Sequence, residues 1–302
     1  MARTTSVLRV DGHDVPVSSL EKVLYPDARF TKGDVINYYI AVAPVLLPHL
    51  EDRALTMKRY PDGVGKFFFY EKNCPPYRPK WVRTTRVPSS VKGKDDTHYC
   101  VVDTLPGLVW AANLADLELH VSLARASARA RPTTMVFDLD PGPGTDVIDC
   151  ARVAVEIRAR FARDKIQCWV KTSGSKGLQL YVPLNTPKIN FDRTKEVARQ
   201  LAESLAADFP KSIVANMRKE LRKGKVFIDW SQNDDHKTTV CVYSLRATPT
   251  PFVSTPLQWK EVETAAKNAK AAALRFTPDD VLKRVKKHGD LFEPVLKLRQ
   301  RL

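Results

Sequence analysis

Two aspartates stand two residues apart at the end of an apolar run, in Met135-Val136-Phe137-Asp138-Leu139-Asp140-Pro141-Gly142. Side chains two apart on a strand leave the same face. Asp138 and Asp140 would therefore project their carboxylates side by side where Pro141-Gly142 stops the strand. Like charges held that close are costly unless cations sit between them, and hard divalent ions such as Mg²⁺ or Mn²⁺ prefer carboxylate oxygens. A third acid, Asp229, ends the apolar run in Lys225-Val226-Phe227-Ile228-Asp229-Trp230. Phosphoryl-transfer sites that hold two metal ions ~3.5–4 Å apart need carboxylates of this kind. Taken alone, the D-x-D reads equally well as a polar strand end capping a turn, and Asp229 as a partner for a nearby Arg or Lys.

A second segment is Lys171-Thr172-Ser173-Gly174-Ser175-Lys176-Gly177-Leu178-Gln179-Leu180-Tyr181. Its glycines allow backbone N–H groups to approach a ligand, and Ser173 and Lys176 add a hydroxyl and a cation suited to a triphosphate. The P-loop pattern G-x-x-x-x-G-K-[ST] is absent, and a glycine hairpin turn has the same look. Lys58-Arg59 precede the aromatic run Phe67-Phe68-Phe69-Tyr70. Cations among aromatics suit phosphates and stacked bases, although Phe67 and Phe68 are expected in the core. Arg222 and Arg246 read as surface charges or as a triphosphate clamp. Arg9-Val10-Asp11-Gly12 resembles the K-x-D-G adenylation motif of ligases, but arginine replaces the nucleophilic lysine. It reads as a hairpin turn.

The elements that must position these groups follow from periodicity. Strands are expected over 7–10 and 15–17, 55–59, 66–70, 99–102, 134–139, 167–172, 178–184, 226–230 and 238–244. Thr31 should cap a helix through Val35, Tyr38, Tyr39 and Val42 that ends near Pro48-His49-Leu50, and Asp146 a helix through Val153, Ile157 and Phe161. Helices are also expected over 108–117, with His120 just beyond it, over 193–209, and in a basic tail from Trp259. The segment 83–97 reads as polar, with an exposed basic loop at Lys92 and Lys94. No repeat, linker or domain boundary is visible, so one unit over 1–302 is expected. The mixture points to an α+β fold with largely antiparallel sheets.

The 302 residues carry 49 Lys plus Arg against 34 Asp plus Glu, a formal net charge of +15. That excess favours a polyanionic partner, nucleic acid above all. With 43% hydrophobic residues the chain is globular, not disordered. No stretch approaches the roughly 20 apolar residues of a membrane span, and the first residues lack the apolar run of a secretory leader. Five scattered cysteines suggest neither a disulfide framework nor a zinc site. A reducing cytoplasm fits.

Taken together, FDLDPG at 137–142, TSGSKGL at 172–178 and GKVFIDWSQN at 224–233 resemble, in order, the polymerase domain of bacterial nonhomologous end-joining ligases (ligase D) and its stand-alone relatives in the archaeo-eukaryotic primase superfamily. The resemblance runs from Leu20-Glu21-Lys22-Val23-Leu24-Tyr25-Pro26 to Tyr243-Ser244-Leu245-Arg246 and into the tail. It implies a primase-polymerase core, with two mainly antiparallel sheets around the active site and helices outside. The implied activity is template-directed addition of nucleotides, often ribonucleotides, to primer 3′ ends, with two divalent ions, Mn²⁺ or Mg²⁺. By the same resemblance Asp138, Asp140 and Asp229 are the catalytic metal ligands. Lys58, Tyr70, His120, Ser173, Lys176, Arg222, Gln232 and Arg246 contact the nucleotide. Phe69 and Tyr70 form an aromatic pair against the template and incoming base, with tyrosine where the ligase-fused domains carry phenylalanine. Lys22 and Lys32 match a pocket for the DNA 5′-phosphate; without the resemblance both would read as solvated lysines. Gln179 stands where those domains usually carry histidine.

These implications amount to a repair polymerase acting at 5′-phosphorylated gaps or ends on NTP or dNTP substrates, with a DNA ligase and an end-binding protein as further partners. The resemblance also implies a bacterial, nucleoid-associated protein. No complete ligase or phosphoesterase signature is present, so the chain is either a stand-alone polymerase or a domain of a larger protein; the ending at 296–302 has no linker character, which favours the former. Two other readings remain open at this point: a scaffold that binds and bridges DNA ends with little catalysis, and a primase that needs no primer.

Overall fold

The computed structural model describes residues 5–89, 93, 95–268 and 274–302. The first half runs β1 (Thr5–Val10), β2 (His13–Ser18), β3 (Val23–Tyr25), β4 (Phe30–Thr31), α1 (Lys32–Leu50), β5 (Leu55–Arg59), β6 (Phe69–Glu71), β7 (Arg83–Val87), β8 (Thr97–Val101), α2 (Leu105–Asn113) and β9 (Asp116–Val121). The second half runs β10 (Thr134–Pro141), α3 (Val147–Arg163), β11 (Trp169–Thr172), β12 (Leu178–Pro183), α4 (Phe191–Asp208), β13 (Ile213–Val214), β14 (Val226–Asp229), β15 (Thr239–Val240), β16 (Pro256–Leu257), α5 (Trp259–Asn268), α6 (Pro278–His288) and α7 (Glu293–Lys297). One sheet has the order β15-β9-β5-β8-β7, with β6 added at β5. The other has the order β13-β14-β10-β12-β11-β16, in which only β13–β14 is a parallel pair.

The expected caps form. The Thr31 hydroxyl accepts from Asp34 N at 3.2 Å while the Asp34 carboxylate accepts from Thr31 N at 2.7 Å, and Asp146 and Asp149 close the same reciprocal box on α3. The strand β10 divides the interior. Met135, Phe137 and Leu139 pack with Ile148, Ala151 and Ile157 of α3 and with Ala198, Ala202 and Leu205 of α4. Val136 instead joins the cluster built on α1, α2 and the first sheet. By the two-residue period of a strand, Asp138 and Asp140 share the Val136 side and face the space between the two sheets.

Several expectations change. The helix expected over 108–117 stops at Asn113, because Ala115 turns through φ 57° and residues 116–121 then pair as β9. His120 thus lies on a strand beside β5, paired with Thr56. The polar segment at 83–97 contains β7, paired along β8; Lys92 and Lys94 lie outside the described residues. Only Thr239–Val240 of the expected 238–244 strand pairs, since Tyr243 sits at φ 65°. The tail from Trp259 breaks into α5, α6 and α7. Phe67 and Phe68, expected in the core, are 70% and 45% exposed. Cys74 and Cys100 form a disulfide, Cα atoms 4.9 Å apart, because the bond from Cys74 N to His98 O lays this loop along β8. Cys150, Cys168 and Cys241 are buried thiols.

A buried polar knot fastens the C-terminal helices to α1. Asp290 takes a bond from the Tyr243 hydroxyl at 2.7 Å and pairs with His49 Nε2 at 2.8 Å. Burial raises the Asp290 pKa, but these partners outweigh it and hold the carboxyl below its usual value. A depressed carboxyl contributes stability above its unfolded value, about 3.9, that is lost as pH falls through the folded value. Asp290→Asn is expected to cost about 1–3 kcal/mol at neutral pH. Thermal unfolding of the two proteins should converge below about pH 4.

Candidate active site

The residue opposite Asp138 is Gln179 on one side and Asp229 on the other, so antiparallel register brings Asp229 to Asp138, and the two-residue period of β10 adds Asp140 at the same strand end. Burial, then the charge of Asp140, pushes the Asp138 carboxyl up to about 7; the surrounding protein, then Asp229, raises Asp140 at the rim. Asp229 is better supported. One oxygen accepts from Ser231 N at 2.9 Å and Ser231 Oγ at 2.6 Å, and the other from Gln232 Nε2 at 3.0 Å. Gln179 is buried, with Oε1 accepting from Lys171 Nζ at 2.6 Å, which leaves its amide NH₂ as the donor toward Asp138. Lys171 also donates to Ser254 Oγ at 2.7 Å, and burial lowers its own pKa to about 7.

The glycine segment is the turn between β11 and β12. Ser173 Oγ accepts from Gly177 N at 3.1 Å and from Ser175 N, while Arg246 Nη1 donates to Ser173 O at 2.7 Å. A Cβ on Gly177 would stand 1.9 Å from Leu139 O, and one on Gly142 1.8 Å from Arg222 O. These contacts seat the 173–177 turn and the 222–225 segment, backbone to backbone, on the last residues of β10. Gly177→Ala must push the turn off the Asp138–Asp140 end. The expected outcome is a lower melting temperature together with a raised KM for nucleotide, measured by thermal unfolding and steady-state incorporation. Lys176 is exposed at the tip. The Arg222 guanidinium lies 3.6 Å from the Phe227 ring centre and donates to Met217 O, and its buried Nε has no hydrogen-bond partner among the described residues.

Across the cleft, the sequence-selected cations converge on a residue that sequence reasoning missed. Glu118 is 2% exposed and meets His120 Nε2 at 2.9 Å, Lys58 Nζ at 3.3 Å and Arg246 Nε at 3.3 Å, and also accepts from Ala247 N at 3.0 Å. These partners outweigh burial and hold Glu118 far below the usual carboxylate range. Burial lowers His120 against the pull of Glu118, helped by Arg246 and Lys58. Asp116, also missed, accepts from Lys58 N at 2.8 Å where the β5–β9 register slips, which sets the direction of the Lys58 side chain. The exposed Tyr70 ring meets His120 edge-on at 6.0 Å. Phe69 stacks with Phe67 at 5.9 Å under the Arg59 guanidinium.

Lys22 and Lys32 lie together at the start of α1, joined by the bond from Lys32 N to Lys22 O. Lys22 pairs with Asp62 at 2.8 Å in the open. Lys32 is 7% exposed and donates to Asn113 O at 3.1 Å, so the solvated-lysine reading does not hold for it.

Among the described residues, no group of three or more His, Cys, Asp or Glu side chains is arranged as a ready metal cage. The donor set still fits a hard cation. Asp138, Asp140 and Asp229 supply oxygen ligands alone, and burial followed by the charge of neighbouring carboxylates raises the first two, a crowding that a bound cation relieves.

The family model described as "LigD, primase-polymerase domain" matches residues 31–292. The multifunctional non-homologous end joining protein LigD of Mycolicibacterium smegmatis is 39% identical over 284 residues, 93% of this chain and 36% of that protein. The bifunctional LigD of Bacillus subtilis is 33% identical over 273 residues, 90% of this chain and 42% of that protein. The chain therefore spans between about a third and two-fifths of these curated relatives. The solved polymerase domain from Mycobacterium tuberculosis ligase D, in complex with DNA, superposes with a TM-score of 0.85 at 35% identity, covering 94% of this chain and 98% of that one.

Proposed function

The chain belongs to the LigD primase-polymerase family, and from that premise we propose that it is a template-directed nucleotidyltransferase of DNA repair, extending primer 3′ ends at short gaps or broken ends. The observation that carries this reading is that Arg246 joins two charged groups, donating to Ser173 O in the turn seated on the carboxylate end of β10 and pairing with Glu118. Three carboxylates form one group, while Lys58, His120 and Arg246 gather on Glu118 in the other.

Asp138, Asp140 and Asp229 would hold two divalent ions, Mn²⁺ or Mg²⁺, which when bound lower the pKa of the attacking hydroxyl and neutralise charge on the transferring phosphorus. The chain's own groups do the rest. Ser173, Lys176 and Arg222 take the triphosphate at the Asp140 end of β10, with Arg246 bridging the turn to the opposite wall. Lys58 and His120 exchange Glu118 for phosphate oxygens. Gln232 holds Asp229 in place. Tyr70 and Phe69 offer ring faces to the incoming base and template. Lys22 and Lys32 take the 5′-phosphate beyond a gap, where a terminal phosphate carries more charge than a phosphodiester. Ribonucleotides are the favoured substrates, and a DNA ligase and an end-binding protein the partners that complete a repair. No helix among the described residues is long and apolar enough to cross a membrane. The proposed place of action is bacterial DNA in the cytoplasm.

The test is incorporation on a gapped DNA with the downstream 5′ end phosphorylated or not, NTPs or dNTPs, and Mn²⁺ or Mg²⁺. Incorporation that rises with the 5′-phosphate and with NTPs supports the whole reading. Phosphate-dependent binding without incorporation would move the protein to an end-binding scaffold, and synthesis without a primer to a primase.

A further inference from the structure

The strand β14 leaves β10 after Asp138, and towards Thr134 the side chain of Asn233 takes its place, bonding Val136 N at 2.8 Å and Val136 O at 2.7 Å. The segment that follows carries Lys237, which donates to Ser231 Oγ, itself bonded to Asp229. Lys237 also lines a narrow pocket with Arg125 and Arg129, where the carboxylate of Asp235 pairs with its neighbour His236. Arg125 continues into an open groove of about 440 Å³, walled by Arg131, Lys297 and Arg299 and floored by Thr133 and Asn185. A line of cations thus runs from the catalytic carboxylates to the far end of the same strand. Glu51 pairs with Arg125 and Glu293 with Lys297. Among the described residues no carboxylate lies within ion-pair distance of Arg129, Arg131 or Arg299, and the latter two are exposed.

Direction follows from the chemistry. The 173–177 turn and Arg222 both sit at residues 139–142, so the leaving pyrophosphate departs at that end of β10. In phosphoryl transfer the attacking and leaving oxygens stand roughly in line. The primer must then arrive from the Thr134 end, where the groove opens. Five residues separate Asp138 from Thr133, about 17 Å of strand, and a DNA strand advances about 3.4 Å per phosphate.

We propose that this groove binds the phosphodiester backbone of the primer strand about five nucleotides behind its 3′ end, a reading that rests on the polymerase function above. The walls suit this ligand: guanidinium groups that can take phosphate oxygens in pairs, over a polar floor.

The test compares the wild type with the double variant Arg131→Gln/Arg299→Gln, whose surface positions leave the fold intact, checked by its melting temperature. Binding is measured by anisotropy on duplexes with upstream arms of three or twelve base pairs, without nucleotide. On the long arm the variant should bind several-fold more weakly, with a salt slope shallower by about 2; on the short arm the two proteins should be equal. Neutral methylphosphonate linkages four to six nucleotides from the primer 3′ end should weaken the wild type and leave the variant unchanged. Equal loss on both arms, no loss on the long arm, or sensitivity to linkages in the template strand instead would overturn the proposal. A wild type that binds the long arm but incorporates nothing would overturn the polymerase reading, while the groove would still be judged by its salt slope.

Discussion

Asp138→Ala is expected to abolish nucleotide incorporation, by roughly 10³-fold or more, while DNA binding survives. The proposed ions contribute several kcal/mol of charge stabilisation, and each 1.36 kcal/mol is a factor of ten in rate. Primer extension and anisotropy on the same gapped DNA measure the two effects. Retained extension would remove Asp138 from the catalytic centre. The same position carries a stability signature of opposite sign. Its folded pKa, about 7, lies above the unfolded value of about 3.9, so the folded state holds the extra proton between them. Stability in metal-free buffer therefore declines as pH rises through that window. Asp138→Asn should melt higher than the wild type at pH 8 in chelator, and Mn²⁺ should raise the wild type more than the variant.

The second large effect is expected at Glu118. Removing one partner of a buried ion pair costs about 3–5 kcal/mol, and here Lys58, His120 and Arg246 all lose the same counter-charge. Glu118→Gln should lower the melting temperature by many degrees at neutral pH. The depressed Glu118 pKa gives the sign: its contribution is full above the unfolded value of about 4.3 and is lost as pH falls through the folded value. Added nucleoside triphosphate should recover part of the loss, because phosphate oxygens replace the carboxylate and ligand binding stabilises the folded state. A variant that melts like the wild type would show that the three cations do not depend on Glu118.

The contrast between these two residues shows what the sequence can carry. Asp138, Asp140 and Asp229 announce themselves because a polar residue interrupts an apolar run, and a two-residue period needs no knowledge of the fold. The α1 and α3 caps are legible for the same local reason. Glu118 sits in Asp-Leu-Glu-Leu-His-Val, whose alternation is legible, but the helix expected over 108–117 takes its first two residues and leaves Glu118 without an element. Its role depends on Lys58 and Arg246 arriving from β5 and from the segment beyond β15. Lys171 is hidden likewise, since nothing local says that Ser254 and Gln179 close over it. Phe67 and Phe68 mislead in the other direction. Their apolarity predicts burial, but here exposed rings flank a cationic cleft. The Cys74–Cys100 bond follows from β8 pairing and could not be found by spacing.

The strand order of the second sheet has a consequence for the nascent chain. β10 waits for β14 at residues 138–141 until synthesis has passed residue 229, and for Asn233 at Val136, so one edge of the apolar run from Val136 to Leu139 stands open in the meantime. Long-range pairings of this kind form slowly, and an open apolar edge recruits other chains. Charges placed beside such an edge act as gatekeepers against that pairing. Asp138 and Asp140 occupy that position. The carboxylates that crowd one another in the finished cleft are the same ones that keep the unfinished strand from aggregating.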